Sequence, residues 1–393
     1  MVKRIFEHYE LSPLNQLLGF AIVFLNYGVL VFSFYYPVMT DVSAFFLSVA
    51  LFYFFVKGQL TNIFLTGLIG AFTFPVLFVM AVALLLFSKG DVGVTEFPKW
   101  LRYALYTLGT LSAMAACWFV IIYNNETNDM AFTLPINRSM LPVSFGVLAL
   151  LFFFMPAVLC NGTFLTIDYY KKQLNGNTIF AIVTLGITFL VVRSAFQVPS
   201  SAYTSFYHQL KTNFLYAFQR PGISLVSHWN YYGAIILLLL VFWRGFANYV
   251  ASFGLGVAGV VFLNLFVFSM KPESRILIYF MPWLMILMSL YLGKQRFPAL
   301  FYVLILISNL ALSKIWLFFD YTVENNYLTD GTIGFSNQWF FMHLGPWMTE
   351  QVWLWLCVGL IVSLPLFIVS LYKVQFGKKE ILFYKKYEPL NYE

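Results

Sequence analysis

Charge and cysteine are scarce in this chain. Charged residues make up 10% of its 393 residues, against 61% hydrophobic and 21% aromatic residues. Soluble globular domains carry about 25% charged residues, so the composition excludes an ordinary soluble domain. The three cysteines show no CxxC spacing and no nearby histidine, which argues against a disulfide framework and a metal site. The long apolar runs that dominate the chain predict an all-α integral membrane protein.

Sequence motifs of common soluble enzymes are missing as well. We find no P-loop GxxxxGK(S/T), no GxSxG and no HExxH, so the sequence does not support P-loop nucleotide hydrolysis or serine or zinc hydrolase chemistry. The net charge of +7 does not indicate a nucleic-acid partner, because the basic residues lie in short loops and in the tail from Lys373 to Lys386. Membrane topology explains these residues better.

Apolar windows predict a multi-pass bundle of about twelve membrane-spanning segments, several of them short. The stretch from 60 to 87 is divided at Phe74-Pro75, because proline ends or kinks a helix. With this division most basic residues of the loops and tails fall on one side, which the positive-inside rule makes cytoplasmic. We therefore predict one membrane domain over 1–374, with both termini cytoplasmic and a basic cytoplasmic tail at 375–393. The predicted segments are 14–36, 42–56, 60–74, 75–88, 100–123, 141–160, 178–198, 231–250, 252–270, 276–292, 297–318 and 352–374.

Three long loops, 124–140, 199–230 and 319–351, then lie on the outside. Loops of this length usually have a task. The second and third are rich in Tyr and Trp, and we expect them to lie as amphipathic helices along the outer interface, where these side chains are favoured. The chain shows no pair of similar halves of the kind found in many secondary transporters.

Asp41 is the only charged residue between Leu11 and Val56. An ionised carboxylate costs several kcal/mol at bilayer depth, so such an acid usually lies at a water-facing helix mouth or has a partner. An alternative is a helix N-cap, because Asp41 directly precedes an apolar run from Val42 to Val56. Both roles can coexist.

A second charged feature is the segment Lys271-Pro272-Glu273-Ser274-Arg275, which separates two uncharged runs. Arg275 offers a planar fork suited to phosphate, and Lys271 offers a point charge. Glu273 can orient Arg275 or hold a sugar hydroxyl. The segment is therefore a candidate anion site, and the alternative is a hydrated hairpin whose charges keep it out of the lipid.

Further basic residues lie near the outer ends of the predicted segments. Arg193 and Lys314 fall within segments, where snorkelling to the interface is the common explanation and pairing with a lipid phosphate is the alternative. Lys211, Arg220 and His228 fit a pocket for an anionic lipid headgroup, although a surface-lying helix with solvated charges is equally compatible.

Two separated stretches of the chain resemble segments of a known protein family. The first runs from Pro37-Val-Met-Thr-Asp41 through Lys57-Gly58-Gln59 to Leu65-Thr-Gly-Leu-Ile-Gly-Ala-Phe-Thr-Phe-Pro75. It is similar to a family segment in which "TD" opens a helix, "kGr" turns it and "LTRP" ends the next. The second, Pro272-Glu273-Ser274-Arg275 followed by Ile278-Tyr-Phe-Met-Pro-Trp283, looks like the "ESR" segment of the same proteins. The family that both stretches resemble is that of the C-type (GT-C) membrane glycosyltransferases.

The resemblance implies a GT-C-like fold and a polyprenyl-phosphate-linked or polyprenyl-diphosphate-linked sugar donor, with transfer to a lipid, glycan or protein acceptor on the outer face. It implies that Asp41 is the catalytic base or a supporting carboxylate. No cofactor is predicted, although a divalent cation is compatible with this chemistry. The donor-side candidates are Glu273, Arg275, Lys271, Arg193, Lys211, Arg220 and His228.

The chain departs from the family pattern in two places. The principal catalytic acid of the family lies in a first outside loop, ahead of the "TD" helix, whereas a single predicted span precedes Asp41. The Arg of "LTRP" is Phe74 here. Three explanations are open: a truncated chain, a second polypeptide that supplies the missing part, or a relative in which Asp41 took over or catalysis was lost.

Two other functional hypotheses use the same lipid partners. One is a non-enzymatic subunit for lipid or polysaccharide translocation or assembly, and the other is a polymerase or ligase of lipid-linked glycans. The absence of disulfides and retention signals favours a bacterial inner membrane over the endoplasmic reticulum.

Overall fold

The computed structural model describes residues 1–31, 40–88, 92–125, 138–174, 176–195, 215–295, 297–317, 348 and 350–375. These residues are helical apart from connecting segments and one isolated bridge between Glu96 and Asn161. The helices, numbered here in chain order, are α1 (Val2–His8), α2 (Pro13–Phe24), α3 (Tyr27–Leu30), α4 (Thr40–Val56), α5 (Leu60–Thr73), α6 (Val76–Leu86), α7 (Lys99–Asn125), α8 (Leu141–Phe154), α9 (Ile167–Gln173), α10 (Gly176–Ala195), α11 (Ile223–Tyr232), α12 (Ala234–Ser252), α13 (Leu255–Met270), α14 (Met281–Gly293), α15 (Ala299–Ser313) and α16 (Glu350–Gln375). The prediction of an all-helical protein is confirmed for this part of the chain.

Several of these helices have the length and composition of membrane spans. Three stretches are long and apolar enough to cross a membrane: Leu141–Leu159, Ala234–Ser252 and Glu350–Val369. The pair Ile167–Gln173 and Thr178–Val191, bent by 60°, would add a fourth. Shorter apolar helices of 10–17 residues accompany them. The chain is therefore a membrane protein, whereas the number of spans and the side of each terminus stay predictions.

The predicted helix break at Phe74-Pro75 is confirmed. α5 ends at Thr73 and α6 begins at Val76. Phe74 has an extended backbone (φ −150°, ψ 98°), the conformation that a following proline favours. The two helices pack closely where α5 carries Gly70, since a Cβ atom there would lie 2.7 Å from the Cβ atom of Leu77.

The described part of the first predicted segment, residues 14–31, is divided between two helices, and 32–36 lie outside the described residues. α2 ends at Phe24 and α3 begins at Tyr27. The buried side chain of Asn26 joins the two helices: its Oδ1 accepts from the Val29 amide at 3.1 Å and its Nδ2 donates to the Val23 carbonyl at 3.0 Å. These bonds satisfy backbone groups that the break would otherwise leave unpaired in an apolar environment.

The boundary between α11 and α12 has a similar polar support. Gly233 has φ +74°, in the region that favours glycine, and separates the two helices. Asn309 of α15 accepts from the Ala234 amide at 2.9 Å and donates to the Ala21 carbonyl at 3.1 Å. One buried amide therefore ties α12 and α2 to α15.

Residues 223–230 do not lie along an interface, so the prediction of a surface helix for 199–230 is wrong over this stretch. Every residue of α11 except Leu225 is buried. The helix packs against α12, α13, α15 and α16. Ser227, His228 and Tyr232 find hydrogen-bond partners inside the protein, and amphipathic spacing alone does not distinguish such a buried helix from one at a membrane surface.

The centre of the bundle is α14. Nearly all of its residues are buried, and it packs against α2, α4 and α12. A helix that is apolar on all sides is expected in such a position. Trp283 anchors it by donating from Nε1 to the Ser48 carbonyl of α4 at 2.9 Å.

A polar junction closes the end of the bundle where α13 begins. The Asn161 side chain is fully buried and its Oδ1 accepts from the amides of Thr95 and Thr163, at 3.3 and 3.1 Å, and from both threonine hydroxyls. Its Nδ2 donates to the carbonyls of Gly93 and Ala251. Three chain segments are held together by this one amide.

Candidate functional site

The opposite end of α13 leads into the charged segment Lys271–Arg275. Arg275 donates from Nη2 to Glu273 Oε1 at 2.9 Å. The two side chains are only 29% and 18% exposed, so water screens this ion pair less than a surface pair. This ion pair is compatible with the orienting role of Glu273, and both that role and the alternative of holding a sugar hydroxyl stay predictions.

Lys271 lies beside this ion pair and is partly buried. Burial lowers the pKa of Lys271, the Glu273 carboxylate opposes that effect and the Arg275 guanidinium adds to it. Two cations and one acid thus share a partly desolvated segment. An anionic ligand would relieve the repulsion between the cations.

Asp41 faces the same segment from α4. It is the second residue of the helix, so the alternative prediction that Asp41 is the N-cap is wrong. The helix dipole favours a carboxylate in this first turn. The residue is 7% exposed and interacts electrostatically with Arg275 and Glu273. Its Oδ2 atom is buried and has no hydrogen-bond partner in the part of the chain that the structure describes.

That unsatisfied oxygen distinguishes Asp41 from an ordinary buried acid. Buried polar atoms are hydrogen-bonded in the great majority of cases, and a buried charge without donors is costly. A ligand that donates a hydrogen bond, such as a hydroxyl group, would complete the site. The position therefore has the chemistry of a general base or a hydroxyl-binding carboxylate.

Aromatic residues around Asp41 were missed by the sequence analysis. Tyr231 and Tyr232 of α11 interact electrostatically with Asp41, and Tyr216 interacts with Glu273. The Tyr27 ring packs edge-on against Tyr231, with centroids 5.1 Å apart. The aromatic-rich loop 199–230 includes Tyr216 but not the other three tyrosines, and its composition gave no way to pair any of them with an acid near the start of the chain.

His228 lies behind the charged segment. It is fully buried, its Nε2 lies 2.9 Å from the Phe268 carbonyl oxygen, and its Nδ1 lies 2.8 Å from Ser274 Oγ. Burial lowers the pKa of His228 to about 4, against the effect of its hydrogen bonds to backbone groups. The ring is therefore neutral at physiological pH and supports the segment from within.

The remaining basic candidates are dispersed. Arg220 donates from Nη1 to the Met348 carbonyl, and it interacts with Glu350 at the start of α16. Burial lowers the pKa of Arg220, and the Glu350 carboxylate opposes this. Arg193 belongs to α10, but its side chain and the whole of Lys211 lie outside the described residues.

Lys314 does not snorkel, contrary to the common explanation for such a residue. It is 4% exposed, and its Nζ donates to the carbonyls of Asn230 at 2.6 Å and Leu312 at 2.8 Å. The ammonium group also lies 4.9 Å from the centroid of the Tyr27 ring. A cation at the ends of α11 and α15 complements the negative ends of both helix dipoles.

Among the described residues, no group of three or more His, Cys, Asp or Glu side chains is placed to hold a metal ion. The spacing Gly254-Leu-Gly256-Val-Ala-Gly259 reads GxGxxG, but it joins two helices, whereas the dinucleotide-binding turn joins a strand to a helix. Comparison of the chain with protein-family models, curated proteins and solved structures found no match. The residues around Asp41 are therefore the basis on which a function can be assigned.

Proposed function

We propose that the chain is a multi-pass membrane glycosyltransferase of the GT-C type. It would transfer a sugar from a polyprenyl-phosphate-linked donor to a lipid or glycan acceptor on the outer face of the membrane. The observation that carries this proposal is the buried, unsatisfied carboxylate oxygen of Asp41 beside the cations of Lys271–Arg275. The resemblance of both segments to GT-C sequences supports it.

In the proposed reaction the Asp41 carboxylate accepts the proton of an acceptor hydroxyl. The hydroxyl oxygen attacks the anomeric carbon of the donor sugar, and the bond between that carbon and the phosphate oxygen breaks. The phosphate leaves with the bonding electron pair, and Lys271 and Arg275 stabilise its charge. Glu273 holds Arg275 in orientation.

The proposal includes a topology. About twelve spans with cytoplasmic termini would place Asp41 and the charged segment together on the outer face, where a lipid-linked donor presents its phosphate. Most basic loop residues would then lie in the cytoplasm. The host membrane would be a bacterial inner membrane.

Sugar transfer tests the proposal. Purified protein in proteoliposomes is supplied with radiolabelled polyprenyl-phosphate sugars and with total lipid extract as acceptor. Wild type should label a lipid or glycan. Asp41→Asn should lower the rate of transfer at least about 100-fold, because general-base catalysis typically contributes about 100-fold or more. The matched control is Asp168→Asn, since Asp168 also lies in the first turn of a helix but is exposed.

Two outcomes would contradict the proposal. Transfer at the wild-type rate by Asp41→Asn would remove this carboxylate from the reaction. Tight binding of polyprenyl phosphate without transfer of any supplied sugar would instead support a translocation or assembly subunit.

A further inference from the structure

The charged segment is attached to α11 by buried hydrogen bonds on one side. Ser227 donates to the Pro272 carbonyl at 2.6 Å, and Tyr232 donates to the Ser274 carbonyl at 2.7 Å. His228 Nδ1 pairs with the Ser274 hydroxyl at 2.8 Å. Three side chains of α11 therefore hold Pro272 and Ser274, which are alternate residues of the segment.

Exposure along the segment follows the same alternation. Pro272 and Ser274 are buried, whereas Lys271, Glu273 and Arg275 are partly exposed. Lys271 and Glu273 have extended backbone conformations (φ −109°, ψ 108° and φ −75°, ψ 92°), in which successive side chains point to opposite sides. One side of the segment therefore faces α11, and the other side presents all three charges.

One arrangement of the hydrogen atoms satisfies the carbonyl contacts of this network and the contact between His228 and Ser274. A carbonyl oxygen only accepts, so Nε2 of His228 carries the hydrogen that points at Phe268. In the neutral ring Nδ1 must then accept, and the Ser274 hydroxyl is its donor. The Ser227 hydrogen is directed to Pro272, although the two serine oxygens lie 3.0 Å apart.

We propose that Ser227, His228 and Ser274 are positioning residues for the charged segment, which set the direction in which Lys271, Glu273 and Arg275 meet a phosphate-bearing ligand. The choice of ligand rests on the proposed function. The network itself touches no ligand, because its side chains are fully buried behind the segment. If the segment shifted by one residue relative to α11, its charged side chains would point toward α11. The hydrogen bonds oppose this shift and so fix the register of the segment.

The test uses the full-length protein in nanodiscs and farnesyl phosphate as the probe. Ser274→Ala leaves His228 Nδ1 without its donor, and we expect the Kd for the probe to rise roughly five- to tenfold. Backbone amides of residues 273–277 should exchange hydrogen faster. Ser274→Cys keeps a donor of similar size and should recover part of the affinity, a rescue that general destabilisation would not produce.

Ser289→Ala is the matched control. Ser289 is equally buried, but within the described part of the chain its hydroxyl bonds to the Met285 carbonyl of its own helix alone, at 2.7 Å. This variant should lower the melting temperature without changing the Kd or the exchange of residues 273–277.

Two further outcomes separate the inference from the function on which it rests. Wild-type Kd and exchange in Ser274→Ala would overturn the positioning role. A normal Kd in Arg275→Gln would overturn phosphate binding by this segment, while faster exchange in Ser274→Ala would still establish the support that α11 provides.

Discussion

Asn161 and Asp41 are both buried polar residues, but only one of them is fully satisfied by the protein. They mark opposite ends of α13, whose 16 residues span about 24 Å at the usual helical rise. The Asn161 amide uses its oxygen and its nitrogen on backbone and threonine partners. Asp41 keeps a buried oxygen without a partner in the described part of the chain.

The difference separates a structural polar group from a functional one. A side chain that the fold needs receives its hydrogen bonds from the fold, as at Asn161. A carboxylate that the fold desolvates and leaves incomplete is costly to stability, and a ligand is the reason to retain it. Substitutions at the two ends should therefore have opposite consequences.

The largest loss of stability is expected at Asn161. Asn161→Ala leaves the Thr95 and Thr163 amides and two carbonyls without their partner, and we expect a loss of about 3 kcal/mol or more. Thermal unfolding in detergent measures this loss. The control Asn62→Ala removes an amide whose one side-chain bond among the described residues is to the exposed Gln59 side chain, and it should unfold like wild type. Equal melting temperatures for the two variants would refute the structural role of Asn161.

A smaller loss is expected at Lys314. Lys314→Met keeps an unbranched apolar chain but removes the donor to Asn230 and Leu312, at a cost of roughly 2 kcal/mol. Lys57→Met, at an exposed turn, is the control. If Lys314 snorkelled to the interface, the two variants would have the same melting temperature.

His228 should make stability depend on pH. Its pKa is about 4 in the folded protein and about 6.5 when unfolded, so the unfolded chain binds the extra proton between these values. The stability that the neutral His228 ring contributes to the folded protein is complete above about pH 6.5 and is lost as the pH falls toward 4. Between pH 7.5 and 5 the melting temperature of wild type should therefore fall further than that of His228→Gln. The exposed His8→Gln should show the wild-type slope, and equal slopes in all three proteins would contradict a buried neutral imidazole.

Local sequence features predicted the parts of the structure that depend on neighbouring residues. The helix break at Phe74-Pro75 follows from proline, and the Glu273 and Arg275 ion pair follows from their spacing in a short segment. The apolar runs were sufficient to identify a membrane protein. These features act over a few residues, so the sequence displays them directly.

Contacts between distant uncharged residues could not be predicted in this way. Asn26 breaks the first predicted segment, and Asn309 bonds to Ala21 from the far end of the chain. His228 and Ser274 meet only because α11 packs beside the end of α13. Such pairs leave no periodic signal, and a buried serine or asparagine looks like any other small polar residue in an apolar run.

The Asp41→Asn variant tests the difference between Asn161 and Asp41 most directly. Its melting temperature and its rate of sugar transfer are measured in one preparation. The substitution removes a buried charge but also its attraction to Arg275 and to the helix dipole, so we expect a melting temperature equal to or slightly above that of wild type. Transfer from the polyprenyl-phosphate donor should be lost. A protein that melts at a much lower temperature would show that Asp41 serves the fold, and one that transfers sugar at the wild-type rate would show that this carboxylate does not serve the reaction.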